Sequence, residues 1–515
     1  MKNNSLNSFF LDNFSKHGNK TALTFFRGNS VETVISYKEL IQDSSSMAGA
    51  LINLGIEKGD RVIIYLDKSI VFVVAHLALQ RLGAVTVPLN PGFKKNELYY
   101  FIKDTETKLI LCGIRHEKMI KEIDHEIKTL LLNTAIPYQD LDLFRPASIM
   151  LTDPKPEPGP DDHGLIIYTS GTTGKPKGAL LTQRNLIHDA CNIIKKWEIS
   201  ETDVLCHALP LFHVHGLCFA LHTALVAGSH VLIPDEFSPD NVINLLSKKE
   251  GRHVCSIFMA VPSMYVKMMD FIRNKRYDFS HMRLWTSGSA PLPAKDFERI
   301  KALFGQEPVE REGMSETGMN FSNPLHGTRK PGSIGLPMPG LEVRIVNLET
   351  FKDVSPGEEG EIWLKGPSIT PGYWRKPDET AQAFEKGWFR TGDLGRIDKN
   401  GYYYLTDRCK HIIISGGENI SPKEIEGIIN LLEDVLESSV IGMPDEKWGE
   451  RVMAAVVVKS DTSLDAGTIQ QFCRKHFHDW KCPKEIFFLK ELPKNAMGKI
   501  MKEEIKKIYA RSKKI

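Results

Sequence analysis

YTSGTTGKPKG, residues 168–178, packs three glycines, four serine and threonine hydroxyls and two lysines into eleven positions, directly after the apolar run Leu165–Ile167. Glycine lets backbone N–H groups approach a phosphate closely, hydroxyls add donors and lysine adds charge, which is what a polyphosphate cradle requires. The stretch is not a Walker P-loop. Only two residues separate Gly171 from Gly174, and Pro176 follows Lys175 where that motif needs Ser or Thr opening a helix. A flexible surface loop, also built from Gly, Ser and Thr, is the alternative reading.

On either side of this turn, short β-rich runs alternate with helical patterns. Arg61–Leu66 reads as a strand, Val71–Leu82 as a helix, Ala84–Leu89 and Lys108–Cys112 as strands, and the rhythm resumes at Val204–Leu209, His230–Ile233, Ser256–Ala260 and Arg283–Thr286. Strands spaced by helices imply βαβ units and a mostly parallel sheet, so residues 1 to about 405 read as one large α/β body of several subdomains. The segment DPKPEPGPDD, residues 153–162, is too rich in proline and charge for regular structure and reads as a surface connection. Beyond Gly332 the pattern turns β-rich, with strands expected at Leu341–Val346, Glu361–Lys365 and Tyr402–Leu405. Asn400-Gly401 predicts a two-residue type I′ hairpin turn, which sets Asp393 opposite Arg408. A boundary is expected near residues 407–411, followed by the apolar run Ile412–Ile414. Ser421-Pro422-Lys423-Glu424 reads as a capping box with proline at the first helical position. Ile425, Ile428, Ile429 and Leu432 continue it at helical spacing, opening a small α+β domain.

At 515 residues the chain exceeds one ordinary core, so two or more domains are expected. Apolar residues at 42% and charged residues at 25% exclude a disordered chain. Lys plus Arg number 66 against 64 acidic residues, which leaves no broad basic footprint for nucleic acid or an anionic membrane. The basic tail Lys499–Ile515 reads as a solvated amphipathic helix. Eight cysteines without a CxxC pair indicate neither a disulfide framework nor a zinc site and suit a reducing compartment. Polar breaks in the first twenty residues and the lack of an 18-residue apolar run predict a cytoplasmic protein without a membrane span.

The turn at 168–178 resembles the signature of the adenylate-forming superfamily of acyl-CoA synthetases, peptide-synthetase adenylation domains and luciferases. Further matches follow in order: LPLFHVHG (209–216), SGSAPLP (287–293), GMSET (313–317), GWFRTGD (387–393), DRCKHIIISGGENISPKEIE (407–426) and PKNAMGK (493–499). The resemblance implies an N-terminal adenylation domain, 1–408, and a mobile C-terminal domain, 409–515. It implies that a carboxylate and Mg-ATP give an acyl-adenylate, after which the small domain rotates and CoA thiolate displaces AMP. Thr169, Ser170, Gly171, Thr172, Thr173, Gly174, Lys175 and Ser315 would bind ATP, with Asp393 and Arg408 on the ribose. A plain cross-strand salt bridge accounts for the last pair equally well. Glu316 would supply a hard carboxylate oxygen to Mg²⁺, an exposed turn carboxylate being the alternative. Lys499 would stabilise charge building on the α-phosphate and departing pyrophosphate, against the alternative of one more solvated lysine. Lys410 matches the family's hinge, where a surface lysine is the bland reading. Ser415, Gly416 and Gly417 would line the pantetheine tunnel of CoA.

His213 matches the residue that gates the acyl tunnel, with a buried structural histidine as alternative; Ser289 and Met314 fall in the acyl pocket. The run HVHG, and SNPLHGTRKPGSIGLPMPG from Ser322 to Gly340, resemble the malonyl-CoA synthetase branch. That branch carries Glu-Arg at the position of Glu310-Arg311, and its arginine binds the substrate's second carboxylate. A planar guanidinium fork suits this task, and a local ion pair with Glu310 or Glu312 is the competing reading. Glu312 stands where the family usually has the tyrosine that packs on adenine, and a carboxylate does not stack as a ring does. The expectation is therefore an ATP-dependent ligase of a small dicarboxylate such as malonate. Its rivals are a ligase for medium-chain, long-chain or aromatic monocarboxylates, transfer to a carrier-protein thiol, and a non-catalytic nucleotide-binding scaffold.

Overall fold

The computed structural model describes residues 5–141, 157–169, 175–251, 253–273, 275–415, 418–445, 448–495 and 498–512. Ser170, Gly171, Thr172, Thr173, Gly174, Gly416 and Gly417, and the first four residues of the 153–162 connection, lie outside them. The chain forms two compact units. The first comprises residues 1–342 and 364–389, the second 343–363 and 390–515.

The first unit holds two sheets. In the six-stranded sheet the order is Lys128–Leu132, Leu109–Gly113, Arg61–Tyr65, Val85–Pro88, His163–Thr169 and Lys177–Thr182, parallel except for the last pair. Its strands are apolar on both faces, as a parallel sheet covered by helices requires. The helix Ile70–Leu82 shows why the local pattern folds this way. Ser69 Oγ accepts from Phe72 N–H, Gly83 stops the helix at φ +69, and every residue between is buried, His76, Gln80 and Arg81 included, as expected of a mainly apolar core helix.

The nine-stranded sheet runs Leu336–Pro337, Gly318–Ser322, Val309–Met314, Leu284–Ser287, Ile257–Ala260, Val204–Cys206, His230–Pro234, Thr21–Arg27 and Ser30–Ser36. Its middle is parallel and both ends are antiparallel. The strand expected at Val204–Leu209 stops at Cys206. Beyond it Pro210, which has no N–H to donate to a ladder, precedes the turn into the next helix.

The strand Trp388–Ile397, which lies in the second unit from Arg390 on, pairs with Tyr403–Arg408, and Asp393 does face Arg408. The turn between them is not the expected type I′. Gly401 N–H bonds Asp398 O at 3.0 Å, Asp398 N–H bonds Tyr402 O at 2.9 Å and Gly401 has φ +85, a three-residue loop of a type I turn plus a left-handed glycine. That loop displaces the pairing by one residue. An irregularity between Leu394 and Gly395, opposite Thr406, restores it. The C-terminal sheet is ordered Glu418–Ile420, Ile413–Ser415, Gly449–Val458 and Val435–Asp445, with Glu485–Phe488 parallel to Gly449–Val458. Helices Pro422–Ile429 and Ala466–His476 bury one of its faces, and Lys502–Ser512, the expected terminal helix, buries Ile505 and Tyr509 on the other.

The capping box at Ser421 does not form. Ser421 Oγ donates to Asp407 Oδ2 at 2.9 Å, and the same oxygen accepts Lys423 N–H at 3.0 Å. A carboxylate is the stronger acceptor for a helix N-terminus, and Asp407 displaces the serine from that role. Burial alone would raise the Asp407 carboxyl. The hydrogen bond from His411, the Lys502 charge and the N–H donors of Lys423 and Arg408 instead carry it down to about 2.

All eight cysteines are free thiols. Among the described residues no helix is long and apolar enough to cross a membrane.

Candidate active site

The strands His163–Thr169 and Lys177–Thr182 form an antiparallel pair with Thr169 opposite Lys177, so the residues on either side of the glycine-rich stretch meet at one end of the sheet. Lys175 is exposed. Gly178 is required by close packing, because a Cβ there would lie 2.7 Å from Ile166 Cγ2. A short segment braces this pair: Leu180 N–H bonds Gly372 O at 3.0 Å and Trp374 N–H bonds Gly178 O at 2.8 Å.

Val309–Met314 and Gly318–Ser322 are joined by a tight turn carrying Ser315 and Glu316, with Met314 opposite Gly318. Glu316 is 7% exposed. Its Oε1 accepts from Thr169 Oγ1 at 3.2 Å and from the Tyr373 hydroxyl at 3.1 Å. Thr169 and Glu316, 147 residues apart, are thus brought together. Both donors address Oε1, and no hydrogen bond among the described residues engages Oε2. A carboxylate with one oxygen fixed and the other open is a fit donor for a hard cation such as Mg²⁺.

On the same strand, Arg311 is 3% exposed, and none of its three guanidinium nitrogens has a hydrogen-bond partner among the described residues. The flanking carboxylates are engaged elsewhere. Glu310 Oε1 accepts Gly332 N–H at 2.9 Å, and Glu312 Oε2 accepts Asn320 Nδ2 at 3.0 Å. Burial pushes the Glu310 carboxyl up to about 8, so it is largely uncharged near neutrality. Burial draws Arg311 down to about 10 against the opposing pull of the Glu312 and Asp189 charges, which leaves it a cation. Its guanidinium carbon lies 5.2 Å from the Phe219 ring centre, a cation–π contact that offsets part of the desolvation cost. Gly288 makes room for it, since a Cβ there would fall 2.6 Å from Arg311 Nε. A buried guanidinium without a hydrogen-bond partner costs several kcal/mol, on the order of the penalty for any desolvated ion, and such a cation is complementary to an anion.

Around this cation, Ser289 Oγ lies 3.1 Å from His215 Nδ1, with Ser289 held at φ +68, a conformation uncommon outside glycine. Burial first, then the Arg311 charge, hold His215 neutral, far below the usual imidazole range. Burial alone draws His213 down to about 4. Both histidines are therefore uncharged at neutral pH, and Arg311 remains the cation of the group. His215 opens the π-helical segment His215–His222 that also supplies Phe219, a winding found most often at functional sites.

Asp189 accepts Met319 N–H at 2.8 Å and feels the Arg311 charge; burial nevertheless lifts its carboxyl to about 7. The folded state thus holds this proton more tightly than the unfolded chain. The stabilisation is complete below about pH 4 and is lost as pH rises through 7. Thermal unfolding followed between pH 5 and pH 8 will show the wild type losing stability on the order of a few kcal/mol. Asp189→Asn, which keeps an acceptor for Met319, will flatten that slope. Equal slopes in the two proteins would remove Asp189 from the account.

In the second unit, Arg408 Nε lies 2.5 Å from Asp393 Oδ1, and Asp393 is 6% exposed. Lys410 lies in the short helical turn Cys409–His411. Ser415 is buried and pairs with Gly449 and Glu418. Lys499 is exposed on a loop closed by Lys499 N–H to Asn495 Oδ1 and Asn495 N–H to Lys499 O, each 2.9 Å, with Gly498 at φ +75. Phe219, Gly288, Asp189 and Tyr373 were not singled out from the sequence. Only for Gly288, inside SGSAPLP, did a motif offer any signal.

The AMP-binding enzyme family matches residues 10–374, and the AMP-binding enzyme C-terminal domain matches residues 424–499; the chain belongs to the AMP-binding enzymes. It is 34% identical to the malonate–CoA ligase of Bos taurus over 93% of this chain and 87% of that one. It is 31% identical to a long-chain-fatty-acid–CoA ligase of Bacillus subtilis over 98% and 94%. The crystal structure of ATP-bound MatB from Rhodopseudomonas palustris superposes with a TM-score of 0.91 at 35% identity, covering 98% of this chain and 99% of that one. The protein is an AMP-forming acyl-CoA synthetase, with ATP and CoA as the family's substrates.

Proposed function

We propose that this synthetase activates a small dicarboxylate, malonate or a close relative. The observation that carries the proposal is the buried Arg311 guanidinium with no protein partner among the described residues. A second carboxylate on the substrate would complete it through two parallel N–H···O bonds, whereas the alkyl chain of a fatty acid would leave it desolvated and unpaired. The malonate–CoA ligase relative supports the reading; the long-chain relative supports the rival, in which Arg311 is structural.

In the proposed reaction one substrate carboxylate oxygen attacks the α-phosphorus of ATP while the bond to pyrophosphate breaks. The CoA thiolate then attacks the acyl carbon and AMP leaves with the former carboxylate oxygen. Thr169, residues 170–174, Lys175 and Ser315 hold the phosphates, and Asp393 with Arg408 holds the ribose. His213, Ser289 and Met314 shape the acyl pocket around Arg311. Lys499 stabilises the adenylation transition state. Residues 409–515 swing about Lys410, and Ser415, Gly416 and Gly417 guide the pantetheine arm. Glu316 would hold Mg²⁺, which when bound neutralises charge on the phosphate oxygens.

CoA-dependent AMP release measured with malonate, methylmalonate, octanoate and a cinnamate tests this. Malonate or methylmalonate is expected to give the highest kcat/KM. Preference for octanoate or the cinnamate would overturn the dicarboxylate assignment, and no pyrophosphate release with any acid would favour a scaffold.

A further inference from the structure

We infer that Tyr373 is a positioning residue for Glu316 and sets the affinity of that carboxylate for the divalent cation; the inference rests on the metal role proposed above for Glu316. The segment that carries Tyr373 lies outside every motif quoted above, yet it grips both halves of the site within the first unit. Thr370 N–H bonds the Glu316 carbonyl at 2.7 Å, and the Tyr373 hydroxyl donates to Glu316 Oε1 at 3.1 Å. Thr370 Oγ1 bonds Leu180 O at 2.5 Å, and Tyr373 itself bridges Ala179 on the strand that leaves the glycine-rich turn. One short stretch therefore fixes the backbone of Glu316, the direction of its carboxylate and the strand beside it.

The geometry of Tyr373 is tightly constrained. Gly372, at φ +150, packs so closely that a Cβ would lie 2.5 Å from Thr380 Cγ2, and Thr380 Oγ1 accepts Tyr373 N–H at 2.9 Å. Lys177 Nζ sits 5.4 Å from the centre of the Tyr373 ring. Thr169, the other donor to Oε1, has one proton to share between Glu316 and the Lys177 carbonyl at 3.4 Å. The phenol adds a second restraint on the same oxygen, and by holding Oε1 it orients Oε2 toward a ligand.

The test is Mn²⁺ binding to the full chain with a non-hydrolysable ATP analogue, read from loss of the free-ion paramagnetic resonance signal. The same Mg²⁺ titration is then followed by pyrophosphate release. Tyr373→Phe, which keeps the ring over Lys177, is expected to weaken metal binding by about fivefold to tenfold, the size of one ordinary lost hydrogen bond. The carboxylate KM should stay unchanged, and high metal should restore kcat. Glu316→Gln is measured alone and combined with Tyr373→Phe, and the two effects should be non-additive. Unaltered metal binding in Tyr373→Phe alongside a weakened Glu316→Gln overturns the positioning role alone. Unaltered binding in Glu316→Gln overturns the metal role itself, and additive effects show that Tyr373 does not act through Glu316.

Discussion

Arg311→Ala is expected to lower kcat/KM for malonate on the order of 100-fold, mostly through KM, while activity on a monocarboxylate holds steady or improves. The figure follows from truncating one partner of a buried ion pair, a loss of about 3 kcal/mol. The direction for the monocarboxylate follows from the free enzyme. Removing an unpaired cation that is 3% exposed takes away a desolvated charge that an alkyl chain would otherwise have to meet. Arg311→Lys is expected to recover only part of the loss, because a point charge cannot reproduce the planar fork. Steady-state kinetics on the three proteins with both acids decides the matter. An Arg311→Ala enzyme with the wild-type KM for malonate is incompatible with a dicarboxylate clamp at this residue.

Lys499→Ala should separate the two half-reactions. Adenylation, followed as pyrophosphate release, is expected to fall by about 10² to 10³, the usual cost of losing one positioned donor to a developing charge. Conversion of pre-formed acyl-adenylate to the thioester, followed as CoA-dependent AMP release, should change little. Lys499 is exposed on its loop, so its removal should leave thermal stability near wild type. Equal loss in both half-reactions would assign Lys499 to something other than adenylation.

The parts of the fold that could be read in advance are those whose signal is local. Arg61–Tyr65, Val85–Pro88 and Leu109–Gly113 are short apolar runs divided by helical segments, and that rhythm alone implies a parallel sheet. The hairpin Thr21–Arg27 with Ser30–Ser36 escaped because its place depends on a distant strand, Leu23 lying opposite Val231. The capping box at Ser421 misled for the same reason. The four-residue pattern is present, but a carboxylate fourteen residues upstream outcompetes the serine hydroxyl. Asp393 and Arg408 were matched correctly although the turn was misjudged, since two opposite register displacements cancel.

The candidate site divides along the same line. Arg311, Glu316 and Thr169 sit in compact motifs, where spacing carries the information. Phe219, Asp189 and Tyr373 act on them from other elements, and each is an ordinary residue in its own neighbourhood; of these helpers, only Gly288 lies in a motif. An aromatic in an apolar helix, or a tyrosine after Pro-Gly, gains a role only when folding brings it against a charge.

Asp407 also bears on how the C-terminal residues can move. It precedes Cys409–His411, whereas its partners Ser421 and Lys423 follow that turn, so a swivel beginning there would pull the carboxylate away from both. A side chain ionised down to about pH 2 keeps its grip throughout the physiological range. If residues 409–515 swing about Lys410 as proposed, Asp407 would be a latch across that pivot, and the energy needed to open it would enter the barrier to the swing rather than the chemistry.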